Sequence, residues 1–579
     1  MFDRYYQDEL AYLRELGKEF SKAHPALAPM LAGPGSDPDV ERLLEGVAFL
    51  TSKLRLKLDD ELPEIVHSLL EILWPHFLRP IPSTTIIEFQ PKSSLQEKLR
   101  IPQGTYLDSI PVEDISCHFR TCYAVDLQPI EIKEVTFEER ASTRSVLKID
   151  FALINLDLST YEFDSIDFHL HGDLAMMTCL YLLFCNHLTK IKLSGPDGKT
   201  HFFLSPDALK PLGFEKEEAI FPYPEHAFAG YRLLLEYFLF PQKFLFFRLE
   251  GLHGLQQFQG NTFSCEFVFD RDYVYATQLT PENIKLHCTP AVNLFSHEAD
   301  PIRVDHEKVE YLIRPTGPDR RYYDIYSIDK VVGWLPGTAE EKVYWPLFSF
   351  RWEDDNEVHT YYQPFLRPAV VREGFDTYIS FVNREGKHQV PETEIVAIYL
   401  TCTNAQLPFE LKPGDISVPT STSPEMANFT NITKPTRSIP PPIGRDILWR
   451  LISHLAINYL SLQRLENLKQ LLSLYNFQVY SDRQAARANE MKINALERLS
   501  VKPARRLLRG QPLAGLLIEI DASKKNFADE GDLFLLGQVL EKFFGLYSTM
   551  NTYTQLVLRE RDEGEIYRWP PRLGYSPLI

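Results

Sequence analysis

The chain has 579 residues, 44% of them apolar and 24% charged, with a formal net charge of -18. Its length exceeds what one core can hold and implies about two to four domains, while the composition excludes a largely disordered chain. The acidic balance argues against a nucleic-acid binder, which would concentrate basic charge on one face, and points to protein partners.

The opening Met1-Phe2-Asp3-Arg4-Tyr5-Tyr6 lacks the apolar core of a signal peptide, and no run approaches the roughly 18 uncharged residues of a spanning helix, so a cytoplasmic protein without direct membrane insertion is expected. Cysteines at 117, 122, 179, 185, 265, 288 and 402 include no CxxC pair and read as reduced thiols, with no metal framework. The sequons at Asn428 and Asn431 read as chance.

The first 82 residues read as helices. Phe2, Tyr6, Leu13, Leu16 and Phe20 form a seam at steps close to 3.5 residues, interrupted at Glu9, and His24-Pro25 ends it. After the break at Gly33-Pro34-Gly35, Ser36 to Asp39 caps a second helix carrying Val40, Leu43, Leu44, Val47, Leu50 and Leu54. A third carries Leu62, Ile65, Val66, Leu69, Leu70 and Leu73, and Trp74-Pro75 stops it. Such helices either close on themselves or pair with another subunit.

Short runs with turn punctuation follow: Thr85 to Phe89, Thr105 to Ser109, Val146 to Phe151, Ile191 to Leu193, Phe202 to Leu204, Cys265 to Phe269 and Ala397 to Thr401. They predict a β-rich middle, made irregular by long connections and a helical stretch from Asp173 to Phe184. We divide it into 83–290 and 291–412, followed by a Ser/Thr/Pro-rich linker at 413–445. Residues 446–579 read as a C-terminal α/β domain: a helix through Asp446 to Tyr475, a strand at Leu516 to Ile520 and a helix at Phe534 to Tyr547. The expected class is α+β: an N-terminal helical segment, an irregular β-rich middle and a C-terminal α/β domain.

Strings that look catalytic fail on spacing. His169-Leu170-His171-Gly172-Asp173 is followed by Leu174, where a final ligand would stand, and a polar strand face is the commoner reading. Ser194 to Thr200 ends like a phosphate loop, but Leu193 occupies the place of its first glycine, and Pro196-Asp197-Gly198 reads as a hairpin turn. His287, Cys288, His297 and His306 match no zinc module, the acidic runs Asp59-Asp60-Glu61 and Glu353-Asp354-Asp355 read as solvated charge, and no G-x-S-x-G elbow occurs. We expect no catalytic residue, cofactor or metal. The competing readings are a β-rich cytosolic hydrolase or carbohydrate-active protein, which needs a cleft with paired carboxylates or a metal, and an exported sugar- or peptide-binding module, which needs an export signal.

The run from Gly230 to Phe247 sets Tyr231, Tyr237, Phe238, Phe240, Phe244, Phe246 and Phe247 around only Arg232, Glu236 and Lys243. Burying a large apolar side chain is worth roughly 1.5–3 kcal/mol, so this run is either a core or a permanent interface. It resembles the LLxEYFxFPxKFxFF signature of the TssF (ImpG, VasA) family of type VI secretion baseplate subunits. Further strings resemble that family in register: Tyr5 to Arg14, His24 to Ala28, Asp39 to Leu50, Leu73 to His76, Ile101 to Thr105, Cys117 to Thr121, Pro290 to Phe295, Cys402 to Asn404, His454 to Leu462 and Phe543 to Asn551.

The resemblance implies a structural wedge subunit of the contractile injection machine. Two TssF copies would join one TssG, with TssE, TssK and adjacent wedges, around the VgrG hub at the cytoplasmic face of the inner membrane. Residues 1–82 would supply a core bundle, the middle the wings, and 446–579 a trifurcation. The interface residues expected on this reading are Phe2, Tyr6, Leu13, Leu16, Phe20, Tyr237, Phe238, Phe240, Phe543, Phe544 and Tyr547. Gly104 suits a tight turn, and Asn293 between apolar residues demands hydrogen-bonded burial.

Overall fold

Between Pro38 and Leu73 the chain is rich in Leu and Glu, residues that lose little rotamer freedom in a helix, and it forms one helix of 36 residues, α1. The two helices expected here are one. Residues 55–61 contain neither glycine nor proline to interrupt them, and the helix continues through Pro63 at the cost of one backbone hydrogen bond. It ends where expected, before Trp74-Pro75. This computed structural model describes residues 6–7, 10–11, 13, 38–140, 144–223, 227–304, 308–317, 319–334, 341–347, 360–369, 374–382, 394–443, 463–508, 511–548 and 552–574. They fall into two units, Met1–Trp74 with Gly444–Leu451, and Pro75–Ile443 with Ile452–Ile579.

The second unit is β-rich. Among the described residues, a six-stranded sheet has the order Ile416–Val418, Tyr106–Ser109, His118–Thr121, Cys288–Val292, Thr84–Pro91 and Ala427–Asn431. Its buried side includes Ile87, Phe89, Leu107, Phe119, Ile416 and Phe429. Two of its strands come from the stretch read as a linker. Asn431 is opposite Ile87 and Ala427 opposite Pro91, and the Thr433 and Thr436 hydroxyls bond to the backbone N–H groups of Ile86 and Thr84. Serine, threonine and proline here serve as edge-strand and side-chain-to-backbone partners rather than as a loose tether. The boundary placed at 290 also falls inside a strand, because Cys288–Val292 pairs with both Thr84–Pro91 and His118–Thr121.

Strands at 130–140, 144–153, 188–194, 201–204 and 262–269 make a five-stranded sheet, and 295–403 supplies an eight-stranded one. The Pro196-Asp197-Gly198 turn joins its strands as expected, with Leu193 opposite Phe202 and Gly198 at φ +65°. Asp173 is the N-cap of helix α2 (Leu174–Leu182), accepting from the N–H groups of Ala175 and Met176.

The signature run folds as helix α3 (Ala229–Leu239), a short turn at Pro241–Phe244 and a strand at Phe246–Glu250. Glu236 and Lys243 form an ion pair with both side chains fully buried. The Glu236 carboxylate also accepts from the Ile220 N–H at 2.8 Å, and the Lys243 ammonium donates to the Glu218 carbonyl at 3.0 Å. Burial pulls the Lys243 pKa down to about 8, against the opposing pull of Glu236. The pair ties α3 to the loop at 213–220 inside an otherwise aromatic core.

Farther along, α4 (Leu465–Leu474) and α5 (Arg483–Asn494) precede a long hairpin of Leu496–Leu508 and Gln511–Ala522. Gln511–Ala522 then runs parallel to Thr552–Glu560, and α6 (Glu530–Tyr547) is the crossover helix between them. This bears out the expected strand at Leu516 to Ile520 and helix at Phe534 to Tyr547. The C-terminal segment does not keep its own core. A Cβ on Gly531 of α6 would lie 2.0 Å from the Thr178 carbonyl oxygen of α2, so only glycine permits this approach. Buried charges fix the contact: Asp532 accepts from Tyr237 at 3.3 Å and pairs with Lys492 at 2.8 Å, and Arg271 pairs with Glu530 at 2.7 Å.

Gly531→Ala is expected to lower stability by about 1–3 kcal/mol through overpacking against backbone, read from the denaturant midpoint; an unchanged midpoint removes the close-approach account. Lys243→Met alone, leaving Glu236 buried and unpaired, is expected to cost about 3–5 kcal/mol, and adding Glu236→Gln to recover much of it. Additive losses in that cycle would show that the two side chains act independently.

Candidate assembly surfaces

The eleven residues expected at interfaces divide into four groups. Phe2, Leu16 and Phe20 lie outside the described residues, whereas Tyr6 and Leu13 are helical and half-buried. Tyr547 is the last residue of α6. The remaining five belong to the interior of this chain. Tyr237, Phe238 and Phe240 are buried, and so are Phe543 and Phe544. Phe543 packs edge-on against Phe228 at 5.8 Å and beside Tyr231 at 6.1 Å, which itself stacks on Tyr475. Of the two readings open for this aromatic run, the structure realises the core: α3 and α6 face each other, and the rings are spent between them.

The apolar surface lies elsewhere. On α1, Leu43 is 70%, Val47 44% and Leu50 63% exposed, whereas Ala48 and Ser52 are fully buried. Steps of four and three residues place Leu43, Val47 and Leu50 on one face of the helix. That spacing was visible in the sequence, but the exposure of these side chains was not. Leu69, Ile72 and Leu73 extend the exposed apolar surface near the end of α1. A second exposed group, Leu507 beside Arg505 and Arg506, sits near the end of the C-terminal hairpin.

Four of the strings that carried the family resemblance, at 101–105, 117–121, 290–295 and 402–404, meet at the six-stranded sheet. Gly104, at φ +85°, donates its N–H to the Thr121 carbonyl at 2.9 Å, and the Thr121 N–H returns to the Thr105 carbonyl at 3.0 Å. The next pairing sets Ala291 opposite Thr121. Asn293 is buried and satisfied as expected. Its Nδ2 donates to the His118 carbonyl and to Asn404 Oδ1, both at 2.8 Å, and its Oδ1 accepts from the Asn404 N–H at 2.7 Å. Strings around residues 104, 121, 293 and 404 are thus one hydrogen-bonded node, a pairing that no local sequence signal could identify.

The histidines proposed and rejected as ligands take structural places. His169 is buried against Phe246, with ring centroids 4.3 Å apart, and desolvation lowers its pKa to about 3, which keeps the ring neutral. Asp167 accepts from Arg248 Nε and Nη2, each at 2.7 Å. His287 accepts from the Gln128 N–H, and His306 lies outside the described residues. The seven cysteines are free thiols. Among the described residues, Glu162, Asp164 and His253 come together as potential ligands, all three exposed, with Asp164 held by Lys98 at 2.8 Å. No helix among the described residues is long and apolar enough to cross a membrane.

The chain is 30% identical to the type VI secretion system component TssF1 of Pseudomonas aeruginosa strain PAO1, with 99% of each chain covered. Its fold is similar to a chain in the cryo-electron microscopy structure of a type VI secretion TssK-TssF-TssG baseplate subcomplex, with TM-score 0.79 and 31% identity over 93% of this chain and 99% of that one. It is also similar to a chain of a type VI baseplate complex, with TM-score 0.63 and 27% identity over the full length of both. Residues 1–576 match the family described as type VI secretion system, TssF, and the chain belongs to that family.

Proposed function

We infer that this protein is a structural subunit of the type VI secretion baseplate wedge, and that its work is to hold neighbouring polypeptides rather than to turn over a substrate. The observation that carries this is family membership along nearly the whole length, and the exposed apolar side chains of α1 agree with it. Monomeric soluble proteins rarely leave such a stripe uncovered.

On this reading α1 enters a helical bundle with a TssG-type partner, and a TssK-type adaptor joins the same wedge. The finer arrangement follows the family expectation: two copies of this chain per TssG, TssE in the wedge, contact with adjacent wedges, and a VgrG hub at the centre. The assembly would sit in the cytoplasm. Supporting a structural role, the most enzyme-like strings already have other duties. Asp173 caps a helix, Asp167 holds Arg248, and the Ser194 to Thr200 segment closes a hairpin.

Covering Leu43, Val47 and Leu50 would contribute roughly 1.5–3 kcal/mol for each side chain fully buried. Leu43→Asp with Leu50→Asp is therefore expected to reduce retention of a co-expressed TssG-type partner by at least about tenfold, while the variant's own unfolding midpoint stays within about 0.5 kcal/mol of the parent. Undiminished co-purification would refute α1 as the docking face.

A further inference from the structure

A cavity of about 490 Å³ opens in the second unit, between the Gly104 turn, the strand through Arg120 and the loop carrying Ile220 to Tyr223. Two arginines line it. Arg232, from α3, is only 3% exposed. Its Nη1 donates to the Lys216 carbonyl at 3.2 Å and its Nη2 to the carbonyls of Phe214 at 3.2 Å and Glu215 at 2.9 Å, but its buried Nε–H has no acceptor. Arg120 is half-buried, and among the described residues no carboxylate pairs with it. The buried Tyr223 hydroxyl is likewise without a partner.

Among the described residues, the acids Glu215 and Glu236 near the cavity are committed elsewhere. Glu236 is held by Lys243 and the Ile220 N–H, and Glu215 by Lys542 at 3.0 Å. Backbone carbonyls are the hydrogen-bond acceptors of the buried Arg232 guanidinium, and Glu215, the carboxylate that feels its charge, is shared with Lys542, an incomplete balance for a buried cation. In a chain of net charge -18 this is a locally positive hollow. Its donors suit the two oxygens of a carboxylate, which a guanidinium meets with paired N–H groups. The volume lies within the roughly 300–1,000 Å³ of ordinary ligand sites and exceeds what one carboxylate needs, and Ile220, Phe221 and Val292 offer apolar wall to the group that carries it.

We propose that this cavity is a carboxylate-binding site whose occupant is an acidic side chain of an assembly partner, inserted between Arg120 and Arg232. That the carboxylate arrives on a partner rests on the baseplate reading above; that the cavity binds a carboxylate does not.

Two arms test it on the full-length protein. In the first, the chain alone is melted with glutarate or with neutral glutaramide at equal ionic strength. Glutarate is expected to raise the Tm by about 2 °C or more and glutaramide to leave it unchanged. Arg120→Gln, a change at a half-exposed position that spares the buried Arg232, is expected to abolish the rise. Equal glutarate shifts in parent and variant, or none in the parent, overturn the site. In the second, the protein is co-purified with TssG- and TssK-type partners. Arg120→Glu is expected to lose retention of a partner about tenfold, and Arg120→Lys to keep most of it. A glutarate shift that Arg120→Gln abolishes, combined with full partner retention by Arg120→Glu, overturns the partner as source and assigns the site to a free small carboxylate. Failure of the parent to retain any partner would count against the baseplate reading instead, because the first arm needs no partner.

Discussion

The contact that binds the C-terminal segment into the second unit is the approach of α6 to α2 at Gly531. Thr178 and Cys179 backbone atoms stand where any Cβ would be, so helix and helix meet at main-chain distance. That closeness lets Phe534 reach Tyr181 and Phe543 reach Phe228 and Tyr231, and it brings Asp532 within reach of Tyr237 and Lys492. The aromatic run of α3 is buried because α6 covers it. The C-terminal βαβ unit is consequently bound into the β-rich middle rather than appended to it.

Charge inside this core has a specific use. Glu236 and Lys243 neutralise each other and also take up the Ile220 N–H and the Glu218 carbonyl, backbone groups of a loop that has no sheet to bond. A buried ion pair is weak evidence for stability, because desolvation offsets most of the Coulomb gain. Its effect here is positional: the loop at 213–220 has one place to sit, and the cavity beside it keeps its shape. The amides of Asn293 and Asn404 act in the same way within the six-stranded sheet, joining positions 111 residues apart.

For a subunit that holds others, the division of apolar residues matters more than their number. Rings fill the interior of the second unit, while α1 presents leucines outward. The buried aromatics set the geometry of the second unit, and Leu43, Val47 and Leu50 of α1 are exposed apolar surface.

Much of the fold was legible in the sequence. Short β-branched and aromatic runs marked strands, the Pro-Asp-Gly turn marked a hairpin, and helical periodicity marked α6. Three things were not. Residues 38–73 read as two helices because two apolar stripes were visible and continuity was not. The Ser/Thr/Pro-rich stretch read as a linker because its composition is that of a loop, whereas its strands are supported by partners more than 300 residues away. Tyr237, Phe238, Phe240, Phe543 and Phe544 read as interface because burial against another chain and burial against a distant part of the same chain require the same side chains. The sequence by itself determined which segments are apolar, where the turns fall and to which family the strings correspond. The tertiary structure alone decided which apolar faces meet each other and which stay bare, since contact between residues far apart in the chain depends on how the backbone returns, and local pattern carries no record of that.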